Sequence, residues 1–130
     1  MREKSSDAFA DLGATVRALS VPVGDMSGGQ KQSVAVARAA SWANKIIFLD
    51  EPTAALGVVQ TQNVLDLIKR VRDKGIGVVF ISHSMPEVLG VADRVQVLRR
   101  GRRVATYQAA DTSLEELVGA MTGALDEEAV

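Results

Sequence analysis

Two short apolar runs, separated by a helical stretch, constrain the fold of this chain more than any other feature. The runs are Lys45–Leu49 and Ile76–Ile81, and Val58–Lys74 between them carries apolar residues at helical spacing. Short continuous apolar strands are typical of parallel sheets that are covered on both faces. A helix between two such strands makes the crossover that parallel pairing requires. The order therefore predicts an α/β fold with a mostly parallel sheet and flanking helices.

The segments outside this core predict further helices and a late β-hairpin. Arg2–Leu19 favours an amphipathic helix, and Gly29–Trp42 favours a helix lined with small residues and buried on most sides. The hairpin turns at Arg100-Gly101. Around it, a short helix is predicted at Ser84–Ala92, strands at Arg94–Leu98 and Arg103–Tyr107, and a last helix from Thr112 and Ser113 to Gly123.

Composition excludes several classes of protein. The 130 residues include no cysteine, which excludes disulfide scaffolds and thiolate metal sites and favours a reducing compartment such as the cytosol. The net charge of −1 is too balanced to predict a nucleic-acid surface. No run of about 18 apolar residues occurs, and the polar first residues lack the apolar core of a secretory signal. Any role at a membrane would therefore come through a partner.

The segment Ser27–Gln30 predicts a helix start that faces an anion. Ser27 is a favourable N-cap, and Gln30 stands at the spacing of a capping box. Gly28 and Gly29 let the backbone approach a ligand closely, and the free N–H groups of a helix start favour an anion such as phosphate. The alternative is an ordinary capped helix after a loop.

Asp50 and Glu51 directly follow the first apolar strand. Ligands of open α/β sheets bind beyond the carboxyl ends of the strands, so both acids are placed to meet one. Asp50 is suited to hold Mg²⁺, which prefers one or two carboxylates plus phosphate oxygens. Glu51 is suited to take a proton from an attacking water or to orient it. The alternative is an exposed Asp-Glu-Pro turn.

His83, the only histidine, follows the second strand by two residues. At that strand end it is suited to contact a terminal phosphate or to hold catalytic groups together; the alternative is a turn histidine. The three features gain weight together because each falls at a ligand-facing end of an element. They predict a nucleotide site, yet no Gly-x-x-x-x-Gly-Lys-Ser/Thr phosphate loop occurs in the chain.

In this order, the motifs resemble the C-terminal half of an ATP-binding cassette (ABC) transporter ATPase. Met26-Ser27-Gly28-Gly29-Gln30 is similar to the family signature, with Met in the usual Leu position. Ile46–Glu51 resembles the Walker B strand and its glutamate, and Ile81-Ser82-His83 resembles the switch histidine. The resemblance covers nearly all of Met26–Gly123.

The resemblance implies a partial P-loop NTPase fold of the ABC ATPase type. Residues 1–44 would belong to the helical subdomain and signature helix, 45–123 to half of the catalytic core, and 124–130 to an acidic tail. The missing phosphate-loop strand predicts exposed apolar surface on the sheet. Glutamine is also absent before Gln30, so the family's glutamine loop, which touches Mg²⁺ and the transmembrane partner, is missing too.

The resemblance also implies roles, cofactors and partners. Asp50 would bind the metal, Glu51 and His83 would serve catalysis, and Ser27, Gly28, Gly29 and Gln30 would bind the ATP held by a second subunit. The cofactors would be ATP and Mg²⁺. The partners would be a second ABC ATPase subunit, a transmembrane permease and, indirectly, a periplasmic sugar-binding protein, with no nucleic acid. The location would be cytoplasmic, peripheral on the inner face of the cell membrane.

One departure from the family pattern concerns the loop after the two acids. The family usually has Ser-Ala-Leu-Asp where this chain has Ala54-Ala55-Leu56-Gly57. The aspartate that commonly reaches across the dimer is therefore absent, which puts communication between the two ATP sites in doubt. The stretch Glu51–Val58 resembles importers of ribose, xylose, fructose and related monosaccharides, and so does Met26–Ala40.

Three functions stay open at this point. The first is the ATP-binding subunit of a sugar importer, truncated so that it lacks the phosphate loop and is inactive alone. The second is a non-catalytic interaction module that pairs with a complete ABC ATPase through Ser27–Gln30. The third is a non-transport ABC-type ATPase, which the importer-like stretch and the absence of a basic face disfavour.

Overall fold

The computed structural model describes residues 27–124. The predicted helix at Arg2–Leu19 and the acidic end of the chain lie outside these residues. Two compact units divide between Ile81 and Ser82. The first contains Ser27–Gln30, Asp50 and Glu51, and the second begins just before His83.

The first helix, α1, spans Gly28–Trp42 and begins as the sequence predicts. The Ser27 hydroxyl accepts a hydrogen bond from the Gln30 backbone N–H at 3.2 Å. In return, the Gln30 side chain accepts from the Ser27 backbone N–H at 3.1 Å. This capping box satisfies two of the N–H groups that a helix start leaves without an intrahelical partner. The predicted capping box is confirmed.

The expected burial of α1 on most sides is wrong. One stripe of the helix is buried, Val34 is half-buried and Ala35 is exposed. The buried residues are Gly29, Ser33, Val36, Ala37 and Ala40. The small side chains are explained by close packing against the second helix, rather than by enclosure of α1.

A parallel β–α–β unit follows α1. Strand β1 (Ile46–Asp50) leads to helix α2 (Val58–Asp73) and strand β2 (Gly77–Ile81). The two strands pair in parallel from Ile46 opposite Gly77 to Asp50 opposite Ile81. The buried stripe of α2 is Val64, Leu65, Leu67, Ile68 and Val71. Gly75, at a φ of +91°, ends the helix as predicted.

Within residues 27–124, helices cover this two-stranded sheet on one face only, which corrects the expectation of a sheet covered on both. Along β1 the burial alternates, so that Ile47 and Leu49 are buried while Ile46 and Phe48 are exposed. Phe48 is 72% exposed, and Val79, its partner on β2, is 39% exposed. Asp50 lies on this same face. The prediction of exposed apolar surface on the sheet is confirmed, and this face is where that surface lies.

The second unit contains a helix, a hairpin and a final helix. Helix α3 spans Met85–Val91, with Pro86 in its first turn. Strands β3 (Arg94–Arg99) and β4 (Arg102–Gln108) pair antiparallel, and a 3-10 turn (Ala109–Asp111) leads to α4 (Leu114–Thr122). None of the described helices is both long enough and apolar enough to span a membrane.

The turns and caps of this unit follow the sequence prediction. Arg100 and Gly101 have φ values of 51° and 74°, the left-handed pair that a tight hairpin turn requires. Ser113 and Glu116 form a capping box at the start of α4, and Gly123, at a φ of 84°, ends it. The hairpin forms a sheet of its own, so the described strands make two separate two-stranded sheets.

Candidate functional site

The start of α1 is built so that its backbone N–H groups can face an anion. The first turn of α1 contains no acidic residue, so no carboxylate of that turn competes for them. Ser27 and Gly28 are exposed, whereas Gly29 is buried. The predicted ligand-binding segment therefore presents its first two residues to solvent and packs its third.

Both glycines also have a packing reason to be glycine. A Cβ added to Gly28 would lie 3.2 Å from Leu56 Cδ2, and one added to Gly29 would lie 2.8 Å from both Cβ and Cγ of Gln60. Contacts below 3.0 Å force something to shift, so Gly29 leaves no room for a side chain. This geometry is compatible with both interpretations of the helix start, the ordinary capped helix and the phosphate-facing helix. The contacts with Leu56 and Gln60 were not predicted from the sequence.

The two acids stand at the carboxyl end of β1, as predicted. Asp50 is the last residue of the strand, exposed, and opposite Ile81 of β2. Glu51 continues the pairing for one more bond, its N–H donating to the Ile81 carbonyl at 2.8 Å. Its φ of 47° then turns the chain sharply away from the strand. The two acids therefore have different backbone conformations at one sheet edge.

The loop after the acids is tightly folded. Ala54 N–H donates to the Glu51 carbonyl at 3.2 Å, and Leu56 N–H donates to the Thr53 carbonyl at 3.3 Å. Thr53 and the intervening Pro52 are buried. The same loop then places Leu56 against Gly28, so it connects the acids to the start of α1.

The metal expectation fits a site completed by a ligand. Within residues 27–124 no group of three or more His, Cys, Asp or Glu could hold a metal ion alone. Mg²⁺ bound with a nucleotide needs one or two carboxylates and takes its other ligands from phosphate and water. The exposed carboxylate of Asp50 at the strand end fits that donor set.

His83 is exposed and lies in the turn between β2 and α3. The turn is closed by the Ser84 backbone N–H, which donates to Ser82 Oγ at 3.0 Å. The residue thus follows its strand by two positions, as the sequence indicates. Because His83 belongs to the second unit, its action beside Glu51 stays a prediction.

Comparison with known proteins agrees with these features. Residues 1–54 match the profile of the ABC transporter family. The fructose import ATP-binding protein of Rhizobium meliloti is 44% identical over 125 residues, or 95% of this chain and 48% of that protein. The xylose/arabinose import ATP-binding protein of Sulfolobus acidocaldarius is 40% identical over 122 residues, or 94% of this chain and 49% of that protein. The chain thus spans about half the length of these two relatives.

A solved structure shows the same fold. The inward-facing structure of an ABC transporter described as metal-chelate type superposes with a TM-score of 0.79 at 25% identity. The match covers 93% of this chain and 48% of that one. Two parallel strands, of which β1 ends in two adjacent acids, follow a helix that begins with two glycines and a serine cap. Together with the solved structure, these features define an α/β protein with a partial ABC ATPase fold. The chain is thus similar to about half of an ABC transporter ATP-binding protein.

Proposed function

We propose that this chain supplies the signature and Walker B part of the ATP-binding subunit of an ABC-type sugar importer. The observation that carries the proposal is the 44% identity with a fructose import ATP-binding protein over 95% of the chain. That stretch includes both the capped start of α1 and the acids at the end of β1. A non-transport ABC ATPase lacks comparable support.

The two motifs would serve different ATP molecules. Asp50 would hold Mg²⁺, which supplies charge neutralisation at the phosphates when bound. Glu51, turned out of the strand, would orient the attacking water and accept its proton, and His83 would contact the terminal phosphate. The backbone N–H groups of Gly28 and Gly29, which the capping box does not use, and the hydroxyl of Ser27 would bind the terminal phosphate of the ATP held by a second subunit, and Gln30 would hold this helix start in shape. We propose that ATP thereby holds two subunits together.

The partners follow from this scheme. They are a second ABC ATPase subunit, a transmembrane permease and, through the permease, a periplasmic sugar-binding protein. The location is cytoplasmic, on the inner face of the cell membrane through the permease. The net charge of −1 supports the absence of a nucleic-acid partner.

A second candidate function is a non-catalytic interaction module. The observation that favours it is the exposed, capped start of α1, which is a binding feature rather than a catalytic one. The 130 residues contain no lysine-bearing phosphate loop, so turnover by these residues alone is expected to be negligible. The start of α1 would still bind ATP held by a complete subunit.

One experiment tests both functions. The chain is mixed with the full-length fructose import relative, and association is measured by analytical ultracentrifugation with and without ATP and Mg²⁺. Association only with ATP, together with negligible turnover by the chain alone, supports the signature role. Association that is equally strong with and without ATP counts against the signature role. The absence of any association also counts against it. Binding of ATP by the chain alone at millimolar concentration, lost in Asp50→Ala, would show instead a working site within the chain.

A further inference from the structure

Two glycines from different segments lie against a single side chain, that of Gln60. A Cβ on Gly29, in the start of α1, would be 2.8 Å from Gln60 Cβ and Cγ. A Cβ on Gly57, in the loop after the acids, would be 2.5 Å from Gln60 Oε1 and 3.5 Å from its Cδ. The stem of Gln60 therefore packs on one glycine and its carboxamide lies over the other.

These contacts join the two predicted ligand-binding segments. Glu51 is tied to Ala54 by a backbone hydrogen bond, and Leu56 of the same loop lies against Gly28. Gln60, in the first turn of α2, adds the second contact between loop and helix. The start of α1 is thus fixed to the loop that follows the acids through two side chains, Leu56 and Gln60.

The contact also explains the residue at position 57. The carboxamide of Gln60 occupies the space in which a side chain at 57 would begin, so Gly57 and Gln60 form a matched pair. A side chain at position 57 would require the carboxamide of Gln60 to move, whereas the stem that packs on Gly29 is not among the atoms it would meet. The glycine that stands at this departure from the family's loop pattern therefore lies against the carboxamide of Gln60.

We propose that Gln60 is a positioning residue that holds the phosphate-facing start of α1 in place relative to the Glu51–Gly57 loop. This inference rests on the proposed function, because the ligand is the ATP of a second subunit. Gln60 acts through Gly29 and is not itself a phosphate ligand. Binding to a preorganised helix start avoids the cost of ordering it when ATP arrives.

The test is an ATP titration of the association between this chain and the full-length fructose import relative. Gln60→Ala is expected to raise the ATP concentration for half-maximal association about tenfold, the effect of losing one good contact. Gln60→Met keeps the stem that packs on Gly29 and is expected to stay within about threefold of the unaltered chain. The control is Gln62→Ala, another exposed glutamine of α2, whose side-chain amide donates to Asp66 Oδ1 at 2.8 Å, and it is expected to change the ATP dependence by no more than about twofold.

A second pair of variants tests the matched positions. Gly57→Asp is expected to stay within about threefold of the unaltered chain, as Gln60→Met does, because it meets only the carboxamide end of Gln60. Gly57→Asp combined with Gln60→Ala is expected to cost no more than Gln60→Ala alone, because residues in contact are not additive. Additive losses would contradict the pairing of Gly57 with Gln60.

Two further measurements separate positioning from folding. Thermal unfolding shows whether each variant is folded at the assay temperature, and amide hydrogen exchange at Gly29 and Gln30 is expected to be faster in folded Gln60→Ala. Equal exchange and equal ATP dependence in Gln60→Ala and Gln62→Ala would overturn the inference while leaving the proposed function intact. If the unaltered chain shows no ATP-dependent association, the proposed function and this inference both fail.

Discussion

The effect of Gly29→Ala on the free energy of unfolding can be predicted from the structure, and Gly90→Ala offers a matched control. Both glycines are helical, and replacing glycine by alanine within a helix stabilises it by about 1 kcal/mol. A Cβ on Gly29 would meet Gln60 at 2.8 Å, whereas one on Gly90 would meet nothing within 4 Å. Overpacking of this kind costs about 1–3 kcal/mol. Gly90→Ala should therefore stabilise the chain, and Gly29→Ala should not.

The measurement is urea unfolding of both variants followed by circular dichroism. The gain in helix propensity is common to both, so the difference between their free energies of unfolding isolates the collision with Gln60. We expect that difference to be about 1–3 kcal/mol in favour of Gly90→Ala. In the association assay, Gly29→Ala should also lose ATP dependence while Gly90→Ala keeps it. Equal unfolding free energies for the two variants would refute the packing of Gly29 on Gln60.

Three other changes test the remaining parts of the structure. Val64→Ala, at a fully buried position of α2, should lower the free energy of unfolding by about 2 kcal/mol, and Val58→Ala, 90% exposed on the same helix, should leave it within about 0.5 kcal/mol. Similar losses in urea unfolding would contradict the assigned buried face. Ser113→Ala should cost about 1 kcal/mol in thermal unfolding through loss of the capping box, and an unchanged midpoint would argue against that cap. Glu51→Gln should leave ATP-dependent association with the full-length relative unchanged, because the proposed scheme assigns Glu51 and Ser27 to opposite ATP sites. If Glu51→Gln and Ser27→Ala both lost ATP-dependent association to the same extent, that assignment would be wrong.

Features determined by neighbouring residues were predictable from the sequence. The capping boxes at Ser27 and Ser113 depend on two side chains three positions apart, and the hairpin turn depends on Arg100 and Gly101 alone. The position of Asp50 at the end of β1 was also predictable, because one short run of apolar residues indicates both the strand and the point where it ends. Local chemistry decides such features before tertiary packing is considered.

Features that depend on distant residues were not predictable. The run Ile46–Leu49 reads as a strand buried on both faces, yet Phe48 is exposed, because apolar character does not reveal what covers a face. The contact of Gln60 with Gly29 joins residues that are far apart in sequence, and no helical or strand period signals it. The available hint was Gly57, a departure from the family's loop that lies against the carboxamide of Gln60.

The backbone of Glu51 bears on whether the acids form only an exposed turn. A φ of 47° is unfavourable for a residue with a side chain by roughly 1–2 kcal/mol, and glycine would adopt it without that cost. The backbone bonds from Glu51 to Ile81 and from Ala54 to Glu51 are ones that glycine would also make. Strain at a sheet's carboxyl end motivates the proposal of a functional role for Glu51. Strain alone does not assign that role, because Ala55 in the same loop has a φ of 61° and carries no chemical group. The role of Glu51 in orienting water therefore stays a proposal that depends on its place beside Asp50 at the strand end.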